Sequence, residues 1–410
     1  MGYNFIDLFA GCGGLSLGLK TTGWKGLFAI EKNQDAFETL KHNFSNKYPF
    51  EWPDWLPFEN IDINYLLVHY RDRLYQLKGK VDMIAGGPPC QGFSYAGKRD
   101  AADPRNSLCT SYLNIVELVE PKIILFENVK GFTSGFKVQN SNGITKKTKP
   151  VSEQISDAFT KLGYKVFSNV ISASDIGVPQ SRHRFVMIAI KHDIINNSVT
   201  NEIFFDKYMN FVSKFKEEKK LPKDKVTVRM AIDDLSITNN KIIPSRESHG
   251  FNEIEYLNTS IDNSYLKIMR NNCNKPSNLR LANHKESTIK RMRYILSHCS
   301  RGKSIDNATK EYLNIKKQTT IPLDPDGIAP TITTHPDDII HYSEPRILTV
   351  RELARLQSFP DWFEFKGKYT TGGLRRRNEC PKYTQVGNAV PPLLAESLGK
   401  FIMKLLNGEL

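Results

Sequence analysis

Over the first 191 residues, short apolar runs of β type alternate with segments of helical period, which confines the chain to an α/β fold with a doubly wound, mostly parallel sheet. Tyr3–Leu8, Gly26–Ile30, Val81–Ala85, Ile123–Glu127, Lys165–Ile171 and Phe185–Ile190 read as strands, with a further strand ending at Asp62-Ile63. Leu15–Thr22, Gln34–Asn43, Leu108–Val119 and Ser152–Leu162 read as helices. Two insertions break the pattern. Pro49–Gln76 is aromatic-rich (Trp52, Trp55, Phe58) and is a local lid or plain packing; Thr133–Pro150 is polar and lysine-rich and reads as a mobile loop. From His192 to Ser343 the alternation is lost and Asn, Lys and Ser become frequent, which marks a smaller, irregular second domain. Within it, Lys214–Lys220 is mixed in sign and reads as a solvated helix face. Order returns with helices at Leu353–Phe359 and Glu396–Leu406, so residues 344–410 complete the domain begun by residues 1–191.

One turn stands out. Gly86-Gly87-Pro88-Pro89-Cys90-Gln91-Gly92-Phe93-Ser94 follows an apolar strand, so a thiol sits at a strand's carboxyl end, where open α/β sheets place their ligands. Buried, inert cysteine is the common case, but glycine-proline turns are surface features. The six cysteines, Cys12, Cys90, Cys109, Cys273, Cys299 and Cys380, contain no C-x-x-C pair, which argues against a zinc site and a disulfide framework. The N-terminus runs directly into the first strand with no leader and nothing spans a membrane, so a cytoplasmic protein is expected. A net charge of +13 suggests a polyanionic partner, although a basic solvated surface gives the same excess.

The first strand-to-helix link, Phe9-Ala10-Gly11-Cys12-Gly13-Gly14, allows a tight turn and close approach of a ligand. Its match to G-x-G-x-x-G is imperfect, because Ser16 occupies the third glycine position. Glu31, at the end of strand two, is placed to accept ribose hydroxyls, and Asp62 to accept an adenine amine; an exposed acid or a helix N-cap is the bland reading of both, and the favoured one for Asp62 alone. No GxxxxGK[ST] loop is present, so a nucleoside with a sulfonium fits at least as well as a dinucleotide.

In order along the chain stand Phe9-x-Gly11-x-Gly13, Pro88-Pro89-Cys90-Gln91-Gly92-Phe93-Ser94, Glu127-Asn128-Val129, Gln180-x-Arg182-x-Arg184, Arg351-Glu352-x-x-Arg355-Leu356-Gln357-x-Phe359-Pro360 and Gln385-x-Gly387-Asn388-Ala389-Val390-Pro391. This series resembles the cytosine-C5 DNA methyltransferase family, with His192 to Ser343 as its variable target-recognition region. The resemblance implies the S-adenosylmethionine-dependent methyltransferase fold and methyl transfer to C5 of a cytosine in double-stranded DNA. It implies S-adenosylhomocysteine as product, no metal, and commonly a functional rather than physical partnership with a restriction endonuclease. A monomer is the default.

Cytosine C5 is a poor nucleophile until a thiolate adds at C6, and that role falls to Cys90. Glu127, ending its strand and protonated through a pKa raised by apolar burial, would donate to N3 and accept from the exocyclic amine. Arg182 and Arg184, pointing the same way, would hold the base carbonyl and flanking phosphates, against the alternative of two surface arginines. The resemblance places Phe9 on the adenine, Gly11, Cys12, Gly13 and Gly14 on the methionine part and Glu31 on the ribose. Asp62 and Ile63 fall at the adenine edge, with Pro89 and Asn388 as further cofactor contacts. Lys32 departs from the aromatic residue that often follows the ribose-binding acid.

Tyr95–Asn106 corresponds to the family's loop that closes over an extruded base. Arg270, Lys275, Arg280, Lys285, Lys290, Arg291 and Arg293 are candidates for DNA contact, or the wet face of a helix, and Arg375-Arg376-Arg377 suits phosphate. Three rivals are weighed. A transfer-RNA methyltransferase of the same family shares the chemistry but has a compact recognition region; a catalytically dead homologue would lack Cys90 or Glu127; a nicotinamide oxidoreductase explains only the first glycine loop.

Overall fold

The computed structural model describes residues 2–45, 47–89, 107–135, 137–139, 145–257, 261–370 and 379–409. Cys90, the segment Tyr95–Asn106 and Arg375–Arg377 lie outside these residues. The chain forms two compact units. The first comprises Met1–Ser172, His183–Val212 and Ala395–Leu410, the second Ala173–Arg182 and Ser213–Leu394.

The first unit runs β1 (Asn4–Leu8), α1 (Gly14–Thr21), β2 (Lys25–Ile30), α2 (Gln34–Phe44), α3 (Ile63–His69), α4 (Arg71–Tyr75), β3 (Met83–Gly86), α5 (Ser107–Val119) and β4 (Ile123–Val129). It continues with β5 (Lys137–Gln139), β6 (Thr145–Lys147), α6 (Val151–Lys161), β7 (Tyr164–Ser172), β8 (His183–Lys191) and the start of α7 (Asn201–Glu218). Six strands form one sheet in the order β2-β1-β3-β4-β8-β7. The pairs β1–β2, β1–β3 and β3–β4 are parallel, and β4–β8 and β7–β8 antiparallel. The α/β class and mostly parallel sheet are as the sequence pattern predicts.

Burial explains the pattern. β3 and the first six residues of β4 are buried throughout, as strands covered on both faces must be, whereas the edge strand β7 mixes buried and part-exposed positions. The core gathers Ile6, Leu8, Ile84, Tyr112, Phe126 and Phe159, with Tyr112 edge-on to Phe126 at 5.4 Å.

Several expectations are corrected. No strand ends at Asp62; its side chain accepts from the Asn64 N–H at 2.8 Å and caps α3, the polar side chain satisfying a donor that the helix leaves unpaired. Glu127 is not terminal, since β4 continues to Val129. The aromatic insertion is packing: Trp52 meets Phe58 at 4.6 Å and Trp55 meets Phe28 at 5.7 Å. Within Thr133–Pro150, β5 and β6 form an antiparallel pair that the sequence pattern does not predict.

The second unit holds α8 (Val228–Ile232), β9 (Lys241–Pro244), β10 (Asn252–Glu255), α9 (Ser264–Arg270), α10 (Glu286–His298), α11 (Asn307–Tyr312), β11 (Ile321–Pro322), β12 (Ile339–Ile340), α12 (Val350–Leu356), α13 (Lys382–Asn388) and the start of α14 (Pro392–Leu406). α12 begins three residues before the expected Leu353, because Thr349 and Glu352 form a capping box, and it stops early because Ser358 adopts φ 64°. α14 also starts early, with Pro392 at a first-turn position that needs no N–H donor. Phe215, in the supposed solvated stretch, is fully buried.

A buried ion network organises this unit. Arg355 donates from Nε and Nη2 to the two oxygens of Asp361 (2.8 and 2.7 Å) and from Nη1 to Asp234, whose other oxygen accepts from Arg270 and from the Tyr256 hydroxyl, each at 2.9 Å. Arg346 grips Glu352 with two bonds of 2.8 Å. Arg270 is thereby committed to the interior, and the Arg280 guanidinium lies between the rings of Phe251 and Tyr369 at 4.0 and 3.7 Å, so neither is a plain surface cation. Lys275, Lys285, Lys290 and Arg293 are exposed.

Candidate active site

Parallel pairing brings the carboxyl ends of β1, β2 and β3 into register, Leu8 opposite Ile30 and Gly86. The chain leaves β1 toward β2 on one side, while β3 lies on the other, which makes this edge the sheet's switch point. The turn out of β1 is strained: Phe9 has φ 63°, Gly11 57° and Gly13 95°. A left-handed non-glycine residue costs on the order of 1–3 kcal/mol, and such residues cluster at functional sites. A Cβ on Gly13 would lie 2.6 Å from the Phe44 ring, so the glycine also serves packing. Cys12 is buried.

Glu31 is fastened to this turn. Its Oε2 accepts from the Gly11 N–H at 2.9 Å and its Oε1 from the Asn33 N–H at 2.7 Å. Burial pushes its carboxyl upward, against the pull of those N–H groups and that of Lys32. Nearby, Asp62 meets Lys32 at 2.8 Å, so the residue that replaces the usual aromatic is an ion-pair partner of the predicted adenine contact. Burial raises the Asp62 carboxyl, but the hydrogen bond from Lys32 and that from the Asn64 N–H outweigh it and hold it below its ordinary range. Ile63 is buried beside it.

Asp7 was missed by the sequence reading. It is fully buried in β1; its Oδ2 accepts from the Ser16 hydroxyl, while Oδ1 has no partner among the described residues. Burial pushes its pKa up to about 7, with Ser16 opposing and Glu31 adding. Ser16 at the third glycine position thus ties α1 to β1. The available signal was an acid inside an apolar strand, nine residues before a serine.

The second cluster arises because β3 stops at Gly86, opposite Phe126, while β4 runs on beside β8 alone. Glu127 therefore borders the turn that leaves β3. A Cβ on Gly87 would stand 2.9 Å from Glu127 Oε2 and 3.1 Å from the Glu127 carbonyl, so a larger residue here would displace this carboxylate. The Asn128 amide donates to the Pro88 carbonyl at 3.0 Å, pinning the turn one residue before Pro89. Arg184 Nε lies 2.7 Å from Glu127 Oε1, with both side chains buried. Burial depresses the guanidinium's affinity for its proton, and Glu127 opposes that. The surroundings of Glu127 are thus not the purely apolar ones expected, since a guanidinium stands on it.

A conserved-family model for C-5 cytosine-specific DNA methylases matches residues 3–404. The chain belongs to this family. Type II methyltransferase M.DdeI of Desulfomicrobium norvegicum is 32% identical to the methylase over 97% of this chain and 88% of its own. Type II methyltransferase M1.HphI of Haemophilus parahaemolyticus is 29% identical over 100% and 89%. A crystal structure from E. coli, of a candidate DNA modification methyltransferase encoded within a prophage, superposes with a TM-score of 0.66 at 26% identity, covering 99% of this chain and 100% of that one. The methylase is thus a DNA (cytosine-5-)-methyltransferase with the methyltransferase fold.

The methylase brings Gly11 to Glu31, Lys32 to Asp62, and Glu127 to Arg184 and Gly87. Arg182 precedes β8, belongs to the second unit and donates to backbone carbonyls within it. Neither arginine is a surface residue, at 1% exposure for Arg182 and 8% for Arg184. Asn388 ends α13 and is exposed. Asn128, quoted in a motif but given no role, emerges as the residue that holds the proline turn. Among the described residues no group of three or more His, Cys, Asp or Glu side chains is gathered to hold a metal, and no helix is long and apolar enough to cross a membrane.

Proposed function

We propose that the methylase modifies C5 of a cytosine within a specific duplex sequence as the protective half of a Type II restriction-modification pair, using Cys90 as a covalent nucleophile on an extruded base. The observation that carries this reading is the buried Glu127 carboxylate, fixed by Arg184 against Gly87, three residues before Cys90. The Type II names of the relatives support the protective role.

S-adenosylmethionine, when bound, supplies an electrophilic methyl group. The residues at the first turn fit it: a Cβ at Gly11 would meet nothing within 4 Å among the described residues, and Glu31 offers a carboxylate at the same edge. Phe9, Gly11 to Gly14, Glu31, Asp62, Ile63, Pro89 and Asn388 are the proposed cofactor contacts. Glu31 accepts from ribose hydroxyls, and Asp62, already held by Lys32, from an exocyclic amine.

The Cys90 thiolate attacks C6, and the electron pair moves into the ring toward N3. Glu127, entering the step as the neutral acid, donates its proton from Oε2 to N3 and becomes the carboxylate, which accepts from the exocyclic amine; Arg184, bonded to Oε1, fixes its orientation and stabilises the charge it acquires. Once C5 carries the methyl group, with S-adenosylhomocysteine as the other product, loss of the C5 proton to water returns the electron pair and expels Cys90 as thiolate. Extruding the base costs a few kcal/mol, which phosphate contacts from Tyr95–Asn106 and Arg375–Arg377 offset. We assign sequence readout to residues 192–343, with exposed Lys275, Lys285, Lys290 and Arg293 as backbone contacts.

The test is methyl transfer from a radiolabelled donor to mixed-sequence duplex DNA and, separately, to unmodified transfer RNA. Label recovered as 5-methylcytosine in the duplex is expected; label confined to transfer RNA, or carried on another base position, overturns the reading.

A further inference from the structure

The Arg182 guanidinium binds three backbone carbonyls within the second unit. Nη1 donates to Ile332 O at 3.0 Å, and Nη2 to Gly387 O at 2.8 Å and Ala389 O at 3.0 Å. The last two carbonyls flank Asn388, the final residue of α13. The end of a helix leaves carbonyls without intrahelical partners, and a buried cation there satisfies them and complements the helix dipole.

The neighbouring bonds close on the same point. Gln180 accepts from the Ile332 N–H at 2.8 Å and donates to Gln357 Oε1 at 2.9 Å; Gln357 in turn donates to Val386 O at 2.7 Å. Both glutamines are fully buried. A Cβ on Gly387 would stand 2.3 Å from Thr333 O, so the backbone before Asn388 is pressed against the segment at residues 332–333 that Arg182 also holds. Three motifs far apart in sequence thus converge on one exposed asparagine.

We infer that Arg182 is a positioning residue for Asn388, acting on donor affinity through the backbone of residues 387 and 389 rather than on the base. A planar fork with several fixed N–H groups can bridge carbonyls of separate segments; a lysine ammonium cannot reproduce that geometry. The inference rests on the proposed role of Asn388 at the cofactor, and it separates Arg182 from Arg184, whose partner is the Glu127 carboxylate.

The test uses the full-length enzyme with four variants, Arg182→Lys, Arg182→Met, Asn388→Ala and the Arg182→Met/Asn388→Ala double. The readouts are S-adenosylhomocysteine affinity by calorimetry, KM for donor and for DNA, kcat at saturating donor, and thermal melting. Arg182→Lys, which keeps the buried charge, provides the informative variant if Arg182→Met does not fold. Each single variant is expected to weaken S-adenosylhomocysteine binding and raise the donor KM by roughly tenfold, the effect of one or two lost charge-assisted bonds, with kcat changing less than about threefold. The double variant should be no weaker than about the worse single, because both act on one contact. A fall in kcat or a rise in the DNA KM at unaltered donor affinity would overturn the inference and return Arg182 to the base. If Asn388→Ala alone leaves donor affinity intact, the proposed role of Asn388 fails, whatever Arg182 does.

Discussion

The carboxyl edge of the first unit's sheet and the interior of the second unit treat buried carboxylates in opposite ways. At the sheet edge of the first, Asp7 and Glu31 are held by hydroxyl and N–H donors, with no basic side chain paired to either among the described residues, and burial pushes both upward. In the second, Asp234 and Asp361 meet Arg355, Asp234 also meets Arg270, and Glu352 meets Arg346. Paired interior charges serve architecture, because removing one partner strands the other. Carboxylates left without a countercharge at a strained turn are what a ligand-binding edge looks like. Glu127 lies between these cases, ion-paired yet set against the turn that leads to Cys90.

The sharpest break of the comparison is Glu127→Gln against Arg355→Met. Glu127→Gln should lower kcat by roughly two to four decades, the usual worth of a positioned acid or base, with a smaller loss of stability in chemical denaturation, because the amide oxygen still accepts from Arg184 although its countercharge is gone. Arg355→Met should instead destabilise the fold by about 3–5 kcal/mol in the same denaturation assay, since it strips both Asp234 and Asp361 of a shared buried countercharge and leaves Asp361 with only a long contact to Arg351. Equal effects on stability would erase the distinction between the two regions.

Next in size is the pH dependence. Asp7 titrates near 7 when folded against 3.8 ordinarily, so between these values the native state holds a proton that the unfolded chain has lost. Its contribution therefore falls as pH rises from about 4 to about 7, by an amount on the order of 4 kcal/mol at most. His341 in the second unit behaves oppositely: burial, then Arg346, lower it from 6.5 to about 3, so its contribution is complete above the ordinary value and is lost as pH falls toward 3. Asp7→Asn should remove the first slope and His341→Gln the second, measured by denaturant titration between about pH 3 and 7, the span of the two windows. Slopes that persist in both variants would contradict these assignments.

The smallest effect is expected at Lys32. Lys32 is exposed and its partner Asp62 only partly covered, so Lys32→Ala should alter stability by less than about 1 kcal/mol. Any larger change should be in donor KM, read by steady-state kinetics at varied salt.

The sheet was legible because its central strands are covered on both faces and so appear as unbroken apolar runs. The strand ends were within about two residues for the same reason. Asp62 was misplaced because an acid before an apolar stretch suits a strand end or a cap, and only the fold chooses. Arg182 and Arg184 were expected to point alike from two-residue periodicity, but that rule holds within a strand, and β8 begins at His183. The pairing of Arg355 with Asp234 spans 121 residues, and nothing local encodes it.

The central claim is that Cys90 bonds to cytosine C6 beside Glu127. Its most direct measurement is incubation of the enzyme and S-adenosylmethionine with duplex DNA in which cytosines are replaced by 5-fluorocytosine, where fluorine blocks release of the thiolate. The account predicts a protein–DNA adduct that survives denaturing electrophoresis and is absent in Cys90→Ala. No adduct across varied sequences, or an equal adduct without the Cys90 thiol, would contradict it.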